Sequence, residues 1–350
     1  MAADGGGRAG LALTVTAPAP ADPRTSGVRG RHLLLGLLGL LVAAWLSMAV
    51  GVVRIPVADL LSPTAEQWEV IRVSRIPRVL AILLAGAALS VAGLVMQRIT
   101  QNSFVSPTTA GTVEAAVLGI LVATLLVPAA SLLVKMVVAI ATSVVATAGF
   151  LRLLRGVRHR DPVVVALVGI MYGGVIGAVT VFVAYQRDLL QLLDFWSTGS
   201  FSAATEGQYE PLFLVLAVGA VGYVYADRFT VVGMGQEFAT NLGVSYRTVR
   251  SVGLVVVSVM AATVVVVVGA IPFLGLIVPN VVSLALGDHV GRTLPVVALA
   301  GAGFVLACDV VGRVVRFPYE IPVSTVAGVL GAGVFLWLVL RTASGKEAHG

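Results

Sequence analysis

Residues 74–111, SRIPRVLAILLAGAALSVAGLVMQRITQNSFVSPTTAG, restrict the possible folds more than any other stretch of the chain. Two arginines around a proline open it, no charged side chain occurs between Arg78 and Arg98, and a polar turn ending in Pro107 follows. At about 1.5 Å per residue, Val79 to Met96 covers most of a roughly 30 Å hydrocarbon core, which predicts a membrane-spanning helix. Gly86, Ser90 and Gly93 fall on one face of that helix. A face without bulk lets another helix approach closely, which matters in lipid because the hydrophobic effect does not drive helices together there.

The rest of the chain repeats the pattern. Hydrophobic residues make up 58% of it and charged residues 11%, against about 45–50% and 25% in soluble domains. The 350 residues have room for about ten spans joined by short loops, and the predicted class is an all-α polytopic membrane protein. The net charge of +6 comes from arginines scattered singly between apolar runs. They form no basic face, and nucleic acid is not an expected partner. Cys308 is the only cysteine, the four histidines are not paired at ligand spacing, and no GxxxxGK[ST] string occurs. No catalytic, cofactor-binding or metal-binding residue is therefore expected, and ATP hydrolysis is not expected on this chain.

In chain order, residues 1–31 read as a disordered tail, 32–342 as the transmembrane domain and 343–350 as a second tail. The spans are expected near 33–53, 74–98, 108–128, 130–152, 162–185, 209–226, 250–269, 272–286, 294–310 and 322–340, with a short outer helix within 186–208. Pro272 and Pro279 interrupt the eighth. Gly169, Gly173 and Gly177 repeat at four-residue spacing in the fifth, a pattern for close packing within the bundle. With a cytoplasmic N-terminus, inner segments hold fifteen Lys and Arg and outer segments seven, so both termini are expected in the cytoplasm. The outer arginines are nonetheless conspicuous. Arg75 and Arg78 stand three apart at one helix end, and Arg313 lies at the matching end of the ninth span, four residues from Asp309 with which it can pair. Glu114 and Lys135 lie in apolar surroundings, as an ion pair or as residues facing a cavity.

Residues 233–250, GMGQEFATNLGVSYRTVR, predict a short amphipathic helix from Gln236 to Leu242, ended by Gly243 and followed by a helix that Ser245 can cap. A compact helical knob of this kind suits a groove on a partner.

Several strings resemble the ferric-siderophore and vitamin B12 ABC importer permeases: RIPRVLAILLAGAALSVAG with its QNSFVSP turn, EFATNLGV, AIPFLGLIVPNVVSLALGDHVGRTLP and RVVRFPYEIPV. The likeness extends over residues 33–341, and QNSFVSPTTAGTVEAA, ALVGIMYGGVIGA and RVVRFPYEIPV resemble the branch importing catecholate siderophores, petrobactin among them. The resemblance implies a permease subunit in the cytoplasmic membrane, moving a ferric siderophore. Its partners would be a second permease (a related chain or a copy of this one), two cytoplasmic ATPases and an extracytoplasmic substrate-binding protein.

It further implies ATPase coupling at Gly235, Glu237, Ala239, Leu242 and Gly243, and an inner gate at Asn102, Phe104, Asp161, Pro162 and Val163. Arg75, Arg78 and Arg313 would be solvent-exposed and would receive carboxylates of the binding protein. The chain departs from the family in reading NSF where relatives often read NPL, in Asp161, and in Asn280 where histidine is common. Three other readings stay open, a permease for cobalamin or haem, a proton-coupled secondary transporter, and a membrane scaffold or receptor without transport.

Overall fold

The computed structural model describes residues 30–51, 55–156 and 161–347, and among them every regular element is helical. In chain order these are α1 (Gly30–Ser47), α2 (Ala65–Val70), α3 (Ile76–Thr100), α4 (Thr112–Leu126), α5 (Leu132–Leu153), α6 (Pro162–Gln186) and α7 (Leu190–Ser197). There follow α8 (Leu214–Val224), α9 (Ala226–Gly233), α10 (Gln236–Asn241), α11 (Tyr246–Val268), α12 (Leu274–Leu286), α13 (Val290–Val314) and α14 (Val323–Glu347). Six helices are long and apolar enough to cross a membrane, and α8 with α9, bent by 60°, would make a seventh. The apolar helices α4 and α12 are shorter. At about 1.5 Å per residue, the 15 residues of α4 reach roughly 22 Å. A helix thus stands in each of the ten predicted segments; α4 and α12 fall short of a full crossing by length alone, whereas the 25 residues of α14 are long enough.

The predicted tail boundaries shift. Helix α1 already begins at Gly30, and α14 runs to Glu347, past the expected boundary at 342. Residues 1–29 and 348–350 lie outside the described residues. The expected plain connection at 54–73 instead holds α2. Thr64 and Gln67 form a reciprocal cap there, the threonine hydroxyl accepting the Gln67 N–H at 3.3 Å and the Gln67 carbonyl oxygen accepting the Thr64 N–H at 2.9 Å. A π-helical turn over Ile71–Arg75 then leads into α3, with the Ile76 N–H bonded to the Ile71 carbonyl. Pro77, in the first turn of α3, has no N–H to offer the preceding turn, and the wider turn absorbs that loss.

Helix α3 is the axis of the molecule. Its small face does what the sequence predicts: Gly86 and Ser90 pack on Gly301 of α13, and Gly93 packs on Gly275 of α12, each without room for a side chain at the glycine. The Gly275 carbonyl is also the one that Pro279 leaves without its helical donor, since proline has no N–H. The glycines of α6 work the same way at two of three positions. Gly169 abuts the Thr109 carbonyl and Gly173 the backbone of Gly111, whereas Gly177 has space. Hydroxyl groups join α4, α5 and α11 in the interior: Thr112 with Thr147 at 2.9 Å, Ser258 to Thr147 at 3.2 Å, and Ser143 to the Thr112 carbonyl at 3.0 Å. Each polar group so satisfied is one fewer facing hydrocarbon.

Candidate functional site

The loops sort into two ends of the bundle, each carrying a group of the residues singled out in the sequence. At one end, α3 stops at Gln101, which adopts a left-handed conformation (φ 53°) while the Asn102 N–H reaches back to the Gln97 carbonyl at 3.0 Å. Asn102 is buried and works in two directions. Its side-chain oxygen accepts the Phe104 N–H at 2.8 Å, and its amide donates to the Pro162 carbonyl at 2.9 Å. The two expected gate segments therefore touch. Asp161 caps α6 by accepting the Val163 N–H at 2.8 Å, Pro162 takes the first helical position, and Val163 is exposed.

Asn280, to which the sequence reading gave no role, holds the same loop from the other side. Its amide donates to the Ser103 carbonyl at 2.8 Å and the Leu276 carbonyl at 2.7 Å, and Gln97 donates to the same two carbonyls. No sequence signal pointed to this, since Ser103 and Asn280 are 177 residues apart.

The residues expected to couple to an ATPase lie at this end too. Helix α10 is bounded by Gly235 (φ 119°) and Gly243 (φ 72°), both in backbone conformations that disfavour a side chain. Glu237 and Leu242 are exposed, but Ala239 is fully buried, so it anchors the knob and is not on its outer face. The outer face gains Phe238, which is exposed. Leu242, also exposed, follows Phe238 by one turn at the end of α10, whereas Met234 precedes the Gly235 turn and stands outside the helix. Ser245 does start α11, although its hydroxyl pairs with Thr248 at 2.9 Å and makes no capping bond. Arg98 ties the same end together through Asp288 at 2.7 Å.

At the opposite end Arg75, Arg78 and Arg313 meet, as expected, but the expectation of solvent-exposed guanidinium groups is corrected. Arg75 and Arg313 are buried, and the Arg78 side chain is 12% exposed. Arg78 donates to Asp309 at 2.7 Å and to Glu320 at 2.9 Å, while Arg313 pairs with Asp309 at 2.7 Å. The Asp309–Arg313 pair predicted from the spacing is therefore present. Three arginines face two carboxylates, and the excess positive charge meets the C-terminal end of α1. Arg313 donates to the Ser47 carbonyl at 3.0 Å and to the Val50 carbonyl, and Arg75 donates to the Val50 carbonyl at 2.7 Å. A helix C-terminus carries partial negative charge and suits a cation. The reason for burial is thus internal complementarity, which binds α1, α3 and α13 with the 315–322 loop. Arg72, by contrast, is half exposed beside Glu69 and Glu206.

Glu114 and Lys135 do not meet. Glu114 lies against Gly173 and Gly177 of α6, and the Lys135 ammonium sits 5.8 Å from the centre of the Trp196 ring. Among the described residues no group of three or more potential metal ligands occurs.

The match to known proteins decides what these two ends belong to. The FecCD transport family model matches residues 39–341, close to the full helical bundle. This chain belongs to the FecCD transport family. It is accordingly a multi-pass transport permease and not an enzyme. It is 42% identical over 302 residues to the petrobactin import system permease protein YclN of Bacillus subtilis (strain 168), covering 86% of this chain and 96% of that one. It is also 42% identical over 276 residues to the ferric-anguibactin transport system permease protein FatD of Vibrio anguillarum, covering 79% and 88%. Among solved structures, a metal-chelate type ABC transporter in an inward-facing conformation superposes with a TM-score of 0.76 at 24% identity, covering 89% of this chain and 99% of that one. The fold of that structure thus covers most of the described bundle.

Proposed function

We propose that this FecCD permease is one membrane subunit of an ATP-binding-cassette importer that carries a ferric siderophore across the cytoplasmic membrane. The observation that carries the cargo is the 42% identity, over most of both chains, to permeases named for petrobactin and ferric anguibactin. Uptake of a panel of radiolabelled iron chelates, in cells lacking this gene and in cells complemented with it, tests the reading. Restoration of cobalamin or haem uptake with none of the iron chelates would overturn it.

In this reading the chain makes ten crossings with both termini in the cytoplasm, the short helices α4 and α12 crossing with help from the extended segments beside them. The α10 end then faces the cytoplasm, where two ATPase subunits bind, and the Arg78 end faces the binding protein. A second permease subunit completes the path. The loop 102–104, joined to Pro162, is the inner constriction.

The exposed pair Phe238 and Leu242 supports α10 as the ATPase contact, because an exposed apolar helix face fits a partner groove. Phe238→Asp, or Glu237→Arg, is expected to leave the permease in the membrane at normal levels while sharply lowering copurification of the ATPase. Normal copurification together with normal uptake would rule out the assignment.

At the other end, docking through the arginine cluster becomes an exchange. A binding-protein carboxylate would compete with Glu320 for Arg78, the member of the cluster with an open edge. Glu320→Gln should therefore strengthen capture of the binding protein at low salt, with the gain shrinking at high salt. Capture that weakens, or is insensitive to salt, would place docking elsewhere.

A further inference from the structure

Three aromatic rings from separate segments stand in a row at the face formed by the 101–111 loop, α12 and α14. Phe104 of the loop meets Phe335 of α14 edge to face with ring centres 6.2 Å apart, and Phe335 in turn lies 6.4 Å from Phe273 with the planes 28° apart. All three are half-buried, so the row keeps an open side. Phe273 has φ 62°, a left-handed conformation that a residue with a Cβ rarely adopts, and it directly precedes α12. It is also where α14 comes nearest. A Cβ at Gly331 would stand 2.7 Å from the Phe273 Cβ, and Phe335 lies one turn further along the same face of α14.

The two sides of this row are held differently. The loop is fastened to α12 by a directed hydrogen bond from Asn280 to the Ser103 carbonyl at 2.8 Å, and Gln97 of α3 donates to the same carbonyl at 3.1 Å. Phe335 reaches that fastened unit through ring contacts, which have no fixed donor and acceptor to break and re-form as a helix slides or turns. Rings packed across a narrow passage exclude water, and a passage that dewets is closed to polar solutes without a plug.

We propose that Phe335 is the moving member of the inner closure, a hydrophobic seal of Phe104, Phe335 and Phe273 that parts when α14 shifts against the fastened loop and α12. The proposal rests on the reading of residues 102–104 as the inner constriction. Opening separates Phe335 from both partners at once, and the left-handed Phe273 backbone keeps its ring presented to α14 in the closed state.

The test uses the permease with its partner subunits, reconstituted in liposomes at equal protein content, and reads release of entrapped carboxyfluorescein without ATP. Phe335→Ala is expected to raise release several-fold, Phe335→Leu to restore most of the seal, and Phe104→Ala to leak as Phe335→Ala does. The double variant Phe104→Ala with Phe335→Ala should leak little more than either alone, because both open one barrier. Leakage from Phe104→Ala with a tight Phe335→Ala would overturn the role of Phe335 and keep the constriction at residues 102–104. Tight liposomes with both variants would overturn the constriction as well. Equal leakage from Leu336→Ala, an exposed neighbour outside the row, would mean that α14 packing in general, and not this ring, sets the barrier.

Discussion

Gly93→Leu is expected to abolish recovery of a folded permease, seen as loss of the monodisperse peak when a fluorescently tagged chain is extracted in mild detergent. A Cβ at this position would collide with the carbonyl oxygen and Cα of Gly275, and neither atom can rotate away because both belong to a helix backbone. Relief requires α3 and α12 to separate, and α3 is the helix on which α12 and α13 both pack. Even Gly93→Ala should cost about 1–3 kcal/mol or more, the range for overfilling a tight interior. Gly39→Leu is the control, since a Cβ there meets nothing within 4 Å and the position is exposed on α1. A normal peak for Gly93→Leu would refute the backbone contact, and an equal loss for Gly39→Leu would show that any bulky replacement is harmful.

Asp309→Ala carries the second large effect. The carboxylate is fully buried and is shared between Arg78 and Arg313. Its removal strands positive charge in a low-dielectric interior, and breaking a buried pair by deleting one partner costs about 3–5 kcal/mol. Arg78 keeps its direct contact with Glu320, whereas Arg313 keeps the carbonyls of Ser47 and Val50 and, among the described residues, no carboxylate within ion-pair distance. A marked fall in the thermal midpoint of the purified permease is expected. Adding Arg313→Leu to Asp309→Ala should recover part of the loss, because the stranded charge goes with it. The half-exposed Arg72 gives the contrast: Arg72→Ala should cost about 0–1 kcal/mol, as exposed ion pairs do. Similar midpoints for Asp309→Ala and Arg72→Ala would show that burial does not govern this cluster.

The long apolar helices were legible because hydrocarbon imposes a length and a composition that any apolar run must meet. The small face of α3 was legible for a related reason, since Gly86, Ser90 and Gly93 have no use in lipid except close contact. What the sequence could not supply was the identity of each contact. Gly93 could have met any helix, and only the folded chain pairs it with Gly275. The arginines went wrong on the same ground. Charge bias assigns Arg75, Arg78 and Arg313 to an end of the bundle but is blind to depth, and depth here is set by Asp309, Glu320 and the end of α1. The spacing of Asp309 and Arg313, being local, was read correctly. At the α10 end the glycines that bound the knob were visible, while Ala239 facing inward and Asn280 gripping the loop depend on partners distant in sequence.

The central position of α3 has a consequence for how the protein is made. Its most apolar window is 83% buried and has a mean hydropathy of 2.5, whereas α1, with 11% buried, has 1.5. A helix sheathed by protein has no need to be oilier than one bathed in lipid, so its final surroundings do not account for the difference. Biosynthesis does. Gly275 and Gly301 follow Gly93 by 182 and 208 residues, and at about 5–20 residues per second roughly ten to forty seconds pass before they exist. Through that interval α3 must hold its place in the bilayer unaided, its bare glycine face turned to acyl chains. A polar replacement that the finished core would accommodate can therefore fail earlier, at insertion, before any of the helices that would have sheltered it has left the ribosome.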